Sequence, residues 1–448
     1  MAAPLYERLK NYARKNRISF SMPGHKSGRG LRNDLISLDV TELEETENLH
    51  HGGKYVKEAQ RLLSRLYGSN KSYILTGGST AAIQAMICGS VKPGGLLLAA
   101  SDCHQSVINT CALLGIRIRF FPKEIDSEFK VPKYTAAIKE YITDDTDAVI
   151  ITSPNYYGVC SDIEKIAAEC HERNIPLLVD EAHGAHFIAD SRFPETAVKY
   201  ADAVCHSAHK TLNAMNGAAY LHLNGSLINT QRTEKALSMF QSSSPSYVIA
   251  ASADTARDEL ASGNEWNRTY NLCKDLRSKL IQAGIKVLEN DDMTRLVLNF
   301  TTFGITGFEA SRILSQNGID IEMADLFNIV LIITPSNTLN DLEALFKTVT
   351  QITAANTKTT SFPRVPIPPL CNETLSPGKA FFSARTEISL ADADGRVSCV
   401  SVTPYPPGIP VIRMGETIKK EQIEYINYIL LSGGEVTGLS DGKITVAE

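Results

Sequence analysis

Between residues 73 and 223 the chain alternates short, nearly unbroken apolar runs with longer stretches whose apolar positions recur at helical spacing. The runs at 72–75, 96–100, 117–121, 148–152, 177–179, 203–206 and 218–223 have the length and content of buried strands. Between them, 79–90, 106–114 and 163–174 keep apolar residues three and four apart, as a helix needs to pack one face on a sheet. Strand and helix in such close succession predict an α/β fold with a mainly parallel sheet and helices on both faces. From 252 to 283 the pattern lengthens into one charge-patterned helix. A second α/β set follows, with strands at 295–300 and 328–334 and helices at 307–317 and 339–352. Residues 357–369, rich in Pro, Thr and Ser, read as a linker. Beyond it lie a strand at 397–403, the turn Tyr405-Pro406-Pro407-Gly408-Ile409-Pro410 and a helix at 419–431. The expected layout is an N-terminal arm (1–50), a large α/β domain (51–280) and a smaller C-terminal α+β domain (281–448), with a linker near 355–375.

Composition narrows the class. A chain of 448 residues, 43% hydrophobic and 21% charged, is long enough for two or three domains. Forty-five Lys and Arg against 50 Asp and Glu leave a net charge of -5, which offers no phosphate footprint for nucleic acid. No apolar run approaches the roughly 20 residues that cross a bilayer, and the opening MAAPLYERLKNYARKNR has no apolar core of a secretory signal. Nine scattered cysteines, never spaced CxxC, suit free thiols in a reducing compartment. The expectation is a cytoplasmic enzyme that leaves membranes and nucleic acids alone.

Four strings carry candidate chemistry. Ser207-Ala208-His209-Lys210 directly follows the run Ala203-Val204-Cys205. A lysine at the end of a buried strand is desolvated, which lowers its pKa and prepares it as a nucleophile toward a carbonyl. It is also a place where a lysine snorkels. Asp180-Glu181-Ala182-His183-Gly184 follows Leu177-Leu178-Val179 and places a carboxylate where α/β sheets bind ligands, although Asp180 could equally cap the segment after it. Thr76-Gly77-Gly78-Ser79-Thr80 leads into a helix and offers hydroxyls and amides to an anion, or a simple N-cap. Ser101-Asp102-Cys103-His104 places an imidazole at another strand end, ready to stack on a flat ring or to serve as a hydrogen-bonded structural residue. The pairs His183/His186 and His206/His209 lack the converging third and fourth ligands of a zinc site, so no metal is expected.

In this order the four elements resemble fold-type I pyridoxal phosphate enzymes, with an aspartate aminotransferase-like large domain. More narrowly, the chain resembles the Orn/Lys/Arg decarboxylase family in its short form without an N-terminal wing domain. The supporting strings are Ser21-Met22-Pro23-Gly24-His25-Lys26, Asn48-Leu49-His50-His51, Ser207-Ala208-His209-Lys210 and Tyr405-Pro406-Pro407-Gly408-Ile409-Pro410, spread over residues 19–430. The resemblance implies pyridoxal 5'-phosphate as cofactor and Lys210 as its Schiff-base lysine. Asp180 would pair with the ring nitrogen, His104 would stack on the ring and His183 would lie beside its reactive face. Ser79, Thr80, Ser207 and His209 would hold the phosphate. A hydroxyl from the neighbouring subunit, Ser242 first and Ser243 second, would complete that pocket in a homodimer or larger homo-oligomer. Asn216 and Gly217 stand where relatives carry Thr or Ser and then Gln, and Val400 stands near a usual acidic position. Both departures bear on the substrate rather than the cofactor.

The implied reaction is decarboxylation of a basic amino acid, arginine first and lysine or ornithine next, feeding polyamine metabolism. Glu44, Glu45, Asp320 and Glu322 are all candidates to read the cationic side chain. The competing readings are an aminotransferase, for which Arg413 is the positioned carboxylate-gripping candidate, and a non-catalytic regulatory subunit on the same fold.

Overall fold

The computed structural model describes residues 14–448 except 16, 22, 23, 27, 33, 35–37, 43, 45, 134, 136, 357–361, 363–367, 369, 372, 373 and 405–407. Met22 and Pro23, most of the expected linker and Tyr405-Pro406-Pro407 therefore lie outside the described residues. After a first strand, β1 (Ile18–Phe20), come β2 (Lys71–Leu75), β3 (Leu96–Ala100), β4 (Arg117–Phe121), β5 (Thr146–Thr152), β6 (Leu177–Asp180), β7 (Ala203–His206) and β8 (Ala219–Leu223). Strands β2 to β8 form one seven-stranded sheet in the order β2-β8-β7-β6-β5-β3-β4. All neighbours are parallel except β8, which runs antiparallel to both β2 and β7.

The apolar runs are continuous because both faces of this sheet are covered. Leu98, Ala100, Val149, Ile151, Val179 and Val204 feed one core. Their neighbours Leu97, Ala99, Ala148, Ile150, Leu178 and Cys205 feed the other, so the two faces are read off with a period of two. The parallel register sets Asp180 of β6 opposite Cys205 of β7. Everything just beyond those two residues therefore emerges at the same edge of the sheet.

The second half of the chain adds β9 (Lys286–Val287), β10 (Arg295–Asn299), β11 (Ile319–Ile321), β12 (Met323–Ala324) and β13 (Asn328–Ile332). Four of these make an antiparallel sheet, β12-β13-β10-β9, while β11 pairs in parallel with β1. Helices Asn264–Gln282, Gly307–Gln316 and Leu339–Ala355 close its core through Leu276, Leu280, Ala310, Leu314, Leu345 and Val349. The helix expected over 252–283 is in fact two, Tyr247–Ser262 and Asn264–Gln282. Gly263 between them has φ +77, a left-handed conformation that glycine adopts without strain and that ends a helix.

The strand expected over 397–403 is also corrected. Val397, Ser398 and Val402 form only isolated bridges to Thr417, Val446 and Ile412. The Ser398 hydroxyl donates to the carbonyl of Val400 at 2.7 Å and turns the backbone before a ladder can run. An antiparallel pair, Arg385–Ser389 with Lys443–Ala447, had no counterpart in the sequence reading.

One close approach explains a motif. The Gly24 amide donates to the carbonyl of His209 at 2.7 Å, and the Gly24 carbonyl accepts from the Thr334 hydroxyl at 2.8 Å. A Cβ built on Gly24 would lie 2.5 Å from the Leu212 carbonyl oxygen and 2.7 Å from the Thr211 carbonyl carbon. Glycine is therefore required for the N-terminal segment to touch the turn that bears Lys210. Gly24→Ala should lower unfolding free energy by about 1–3 kcal/mol, read as a fall in the denaturation midpoint, and an unchanged midpoint would show that this contact yields freely.

Candidate active site

Strand β7 ends at His206, and Lys210 sits in the helical turn Ala208–Thr211 that follows it. Its Nζ lies 3.0 Å from Nε2 of His183 and 5.7 Å from the centre of the Tyr156 ring. Ser79, His104, Asp180, His183 and Lys210 line one cavity. Five of the expected site residues, drawn from four separate strings, thus face a common space. Burial lowers the Lys210 pKa, Asp180 and Glu322 oppose that effect, and Arg295 adds to it.

Asp180 closes β6 and is buried. One carboxylate oxygen accepts from the Ala182 amide at 3.2 Å and from the Cys205 thiol at 3.4 Å. It therefore caps the next turn and faces the cavity at once. His104 also combines two roles. Its Nδ1 accepts from the Ser106 amide at 3.2 Å and caps the helix Gln105–Leu114, which leaves the proton on Nε2. Burial lowers its pKa, and burial drives that of His183 well below the usual value, so both rings are neutral.

At the other end of the cavity the helix Gly78–Ser90 has Gly77 as its N-cap with no side chain bonding the first turn. The amides that follow Gly78 are left for an anion, with Ser79 in the cavity wall and Thr80 exposed beside it. Ser207 and His209 are buried within hydrogen-bond distance of each other, 3.3 Å, and His209 also bonds the Ala218 carbonyl. Gly217, one of the departures, has φ +94, and its carbonyl accepts from the Gly78 amide at 2.8 Å, so this residue shapes the start of that helix. Ser242 and Ser243 are exposed and outside this cavity within one chain.

Other residues of the cavity escaped the sequence reading. Tyr156 follows the end of β5 and sets its ring edge-on to His183 at 4.6 Å. Asp102 pairs through one oxygen with buried Lys123 at 2.8 Å. Its other oxygen and the Thr152 hydroxyl are buried without a partner among the described residues. Those free polar atoms, the amine, the carboxylate and the open helix start together fit a ligand with carbonyl, ring-nitrogen and phosphate functions. Arg295, the lone charge opening the buried strand β10, donates from Nη2 to Nδ1 of His183 at 2.7 Å.

Of the acids considered for a cationic side chain that are among the described residues, Glu322 is the near one: it is buried, accepts from the Tyr156 hydroxyl at 2.8 Å and acts electrostatically on Lys210. Asp320 pairs with Arg17, Glu44 is exposed, and Glu45 lies outside the described residues. Arg413 donates to Glu416 at 3.0 Å and to the Ser101 carbonyl at 2.7 Å, its Nε has no partner among the described residues, and it lines a larger cleft that shares Asp102 and Ile409 with the Lys210 cavity.

An amine-bearing turn, an acid on the neighbouring parallel strand and an open helix start on one sheet define a fold-type I pyridoxal phosphate enzyme. Residues 3–293 match the model of the Orn/Lys/Arg decarboxylase major domain, and residues 355–436 match that of the Orn/Lys/Arg decarboxylase C-terminal domain. The chain belongs to this family: it is a pyridoxal phosphate-dependent decarboxylase of basic amino acids. A Bacillus subtilis (strain 168) protein named "Uncharacterized protein YaaO" is 35% identical, covering 98% of this chain and 96% of its own. Arginine decarboxylase of the same organism is 29% identical over the same shares. Among solved structures, the Francisella novicida lysine decarboxylase LdcF superposes with a TM-score of 0.79 at 18% identity, covering 93% of this chain and 75% of that one. Escherichia coli constitutive lysine decarboxylase gives 0.77 at 17% identity, over 100% and 82%.

The histidine pairs considered for a metal are engaged elsewhere. His186 bonds Asp292 and stacks on Trp266. His206 bonds Glu181 at 2.5 Å and His222 at 3.0 Å, and His222 continues to Ser72 at 2.8 Å. Burial pushes the Glu181 carboxyl up to about 8 and His206 down to about 3. At neutral pH a protonated Glu181 thus donates to a neutral His206. The folded state keeps a proton on Glu181 that the unfolded chain releases near 4.5, so this group's contribution to stability is lost as pH rises from there through about 8. Glu181→Gln, which mimics the protonated acid, should melt with less pH dependence across that window than the parent, and parallel melting profiles would refute the assignment.

Proposed function

We propose that the chain decarboxylates arginine to agmatine, with lysine and ornithine as poorer substrates, and so supplies polyamine metabolism in the cytoplasm. The observation that carries the choice of a cationic substrate is Glu322, a buried acid that bonds Tyr156 of the cavity wall and acts electrostatically on Lys210. Arginine ranks first because relatives named arginine decarboxylase are 29–30% identical over 98% of the chain, against 21% for inducible lysine decarboxylase of Escherichia coli (strain K12). Nine free cysteines are in keeping with a reducing compartment.

In this reading Lys210 holds the cofactor through its amine, and Asp180 keeps the ring nitrogen protonated. His104 stacks on the ring, while Ser79, Thr80, Ser207 and His209 hold the phosphate. When bound, pyridoxal phosphate supplies an electron-accepting ring conjugated to the substrate α-carbon, which takes up the pair left by departing carbon dioxide. By keeping the ring nitrogen protonated, the Asp180 carboxylate would make the bound ring the stronger electron acceptor. Glu322 and Tyr156 orient the cationic side chain. His183 Nε2 and Lys210 Nζ, 3.0 Å apart, are the proton carriers at the reacting carbon. One proton is consumed per turnover.

Offering arginine, lysine and ornithine together and identifying products by mass spectrometry tests the substrate choice, with agmatine expected in excess. Lys210→Ala should abolish turnover, and Asp180→Asn should cost orders of magnitude in kcat with a modest change in KM. A near-normal rate in either would remove that residue from its role.

The working unit in this reading is a homodimer with shared sites. The support is the exposure of Ser242, Ser243 and Ser244 in a single chain, next to His50, whose Nε2 lies 2.6 Å from the Ser242 carbonyl oxygen. A phosphate held from both chains couples cofactor binding to dimerisation. The Ser242→Ala, Ser243→Ala double variant should bind cofactor more weakly and dissociate at higher protein concentration, whereas normal cofactor affinity would defeat the shared pocket.

A further inference from the structure

Arg295 is fully buried at the start of β10, and its guanidinium is poorly served. Nε and Nη1 have no partner among the described residues. Nη2 gives its hydrogen bond to Nδ1 of His183 at 2.7 Å rather than to a carboxylate. A buried cation left this way is costly, and such a group calls for a reason beyond packing. The guanidinium does not line the Lys210 cavity, so it acts through the ring in front of it.

The reason follows from donor and acceptor roles. A guanidinium has no acceptor and stays charged at any pH the protein meets, so Nδ1 of His183 must accept. The single proton of the neutral ring then lies on Nε2, which faces Lys210 Nζ at 3.0 Å. An N–H cannot bond an ammonium, which has only donors, so the nitrogen it meets is an amine with a lone pair. We propose that Arg295 is a positioning residue: by fixing the Nε2–H tautomer of His183 it holds Lys210 as the neutral amine that attacks the cofactor's aldehyde. In that step the amine lone pair forms the new C–N bond, the aldehyde oxygen leaves as water, and both amine protons depart with it.

The inference rests on Lys210 being the cofactor-bearing lysine, but the tautomer itself does not. Other groups facing Lys210 pull in both directions: Asp180, Cys205 and Glu322 favour its charged form, and Arg295 opposes it. His104 and His209 border His183 and further disfavour a proton on that ring. Without the guanidinium, His183 is free to carry its proton on Nδ1 and offer Nε2 as an acceptor, which stabilises the ammonium of Lys210.

Two measurements on apoprotein test this without reference to turnover. Histidine labelled with nitrogen-15 reports the tautomer directly, with the His183 signals identified by their loss in His183→Gln. The expected pattern is a bare Nδ1 and a protonated Nε2 in the parent, and a protonated Nδ1 in the parent would overturn the inference. The second is the pH midpoint for imine formation with added pyridoxal phosphate, followed by visible absorbance. Arg295→Met should move that midpoint up by about one pH unit, and Arg295→Lys, which keeps charge and donor, should bring it back. A purely structural Arg295 predicts weaker folding in both variants and the parent's midpoint in each, and that result would refute the role. Should the parent form no imine at any pH, the Lys210 assignment fails, whereas imine formation with an unmoved midpoint sinks only the role of Arg295.

Discussion

An amine withdrawn from water loses its proton readily, and Lys210 is withdrawn because β7 ends inside a layer buried at every position. The parallel register with β6 then determines its company, since Asp180 ends the neighbouring strand opposite Cys205. In the proposed mechanism one side chain works with its charge and the other without it. Both lie in one small space bordered by imidazoles, with the Asp102–Lys123 ion pair at its wall and the Arg295 guanidinium behind His183. His104, His183 and His209 all have lowered pKa values through burial. Burial keeps water from these groups, which preserves the electrostatic strength of the charges in and around the cavity.

Much of this was legible in the chain because the parallel strands announce themselves. A strand buried on both faces is a compact apolar run, and the first polar residue after it falls at the sheet edge where ligands bind. Asp180 stands out by that logic, whereas Lys210 and His104 lie a few residues beyond their strand ends and were singled out by residue type and by the family resemblance. Either-or choices about them dissolved in three dimensions. His104 is a helix cap through one nitrogen while its ring borders the cavity, and Asp180 caps a turn with an oxygen that also meets a thiol.

What the chain concealed depends on contacts that no local pattern encodes. Arg295 reaches His183 across 112 positions, and Tyr156 reaches Glu322 across 166. Four acids were equivalent as sequence, and only the path of β11 into β12 separates Glu322 from Asp320, which turns outward to Arg17. The break at Gly263 was missed for a different reason. Helical periodicity continues through it, and a single glycine inside a long amphipathic pattern reads as tolerated rather than as a terminus. In the short antiparallel pair near the C-terminus, Arg385–Ser389 has no apolar run, three of its five positions being exposed, and its partner Lys443–Ala447 buries only Ile444 and Val446.

The N-terminal segment carries a consequence for how the molecule comes into being on the ribosome. Strand β1 pairs with β11, and the carbonyl of Gly24 is held by Thr334, 310 residues further along. Yet Gly24 is also the residue whose amide secures the turn before Lys210. The seven-stranded sheet is complete once β8 has been made, so its fold can form early in synthesis, domain by domain. Its lysine-bearing turn nevertheless waits for a clamp whose other half emerges much later. Contacts this remote in sequence are slow to form, and a nascent chain stalled between these points would contain the strand ends that bear Asp180 and Lys210 without the segment that fastens them.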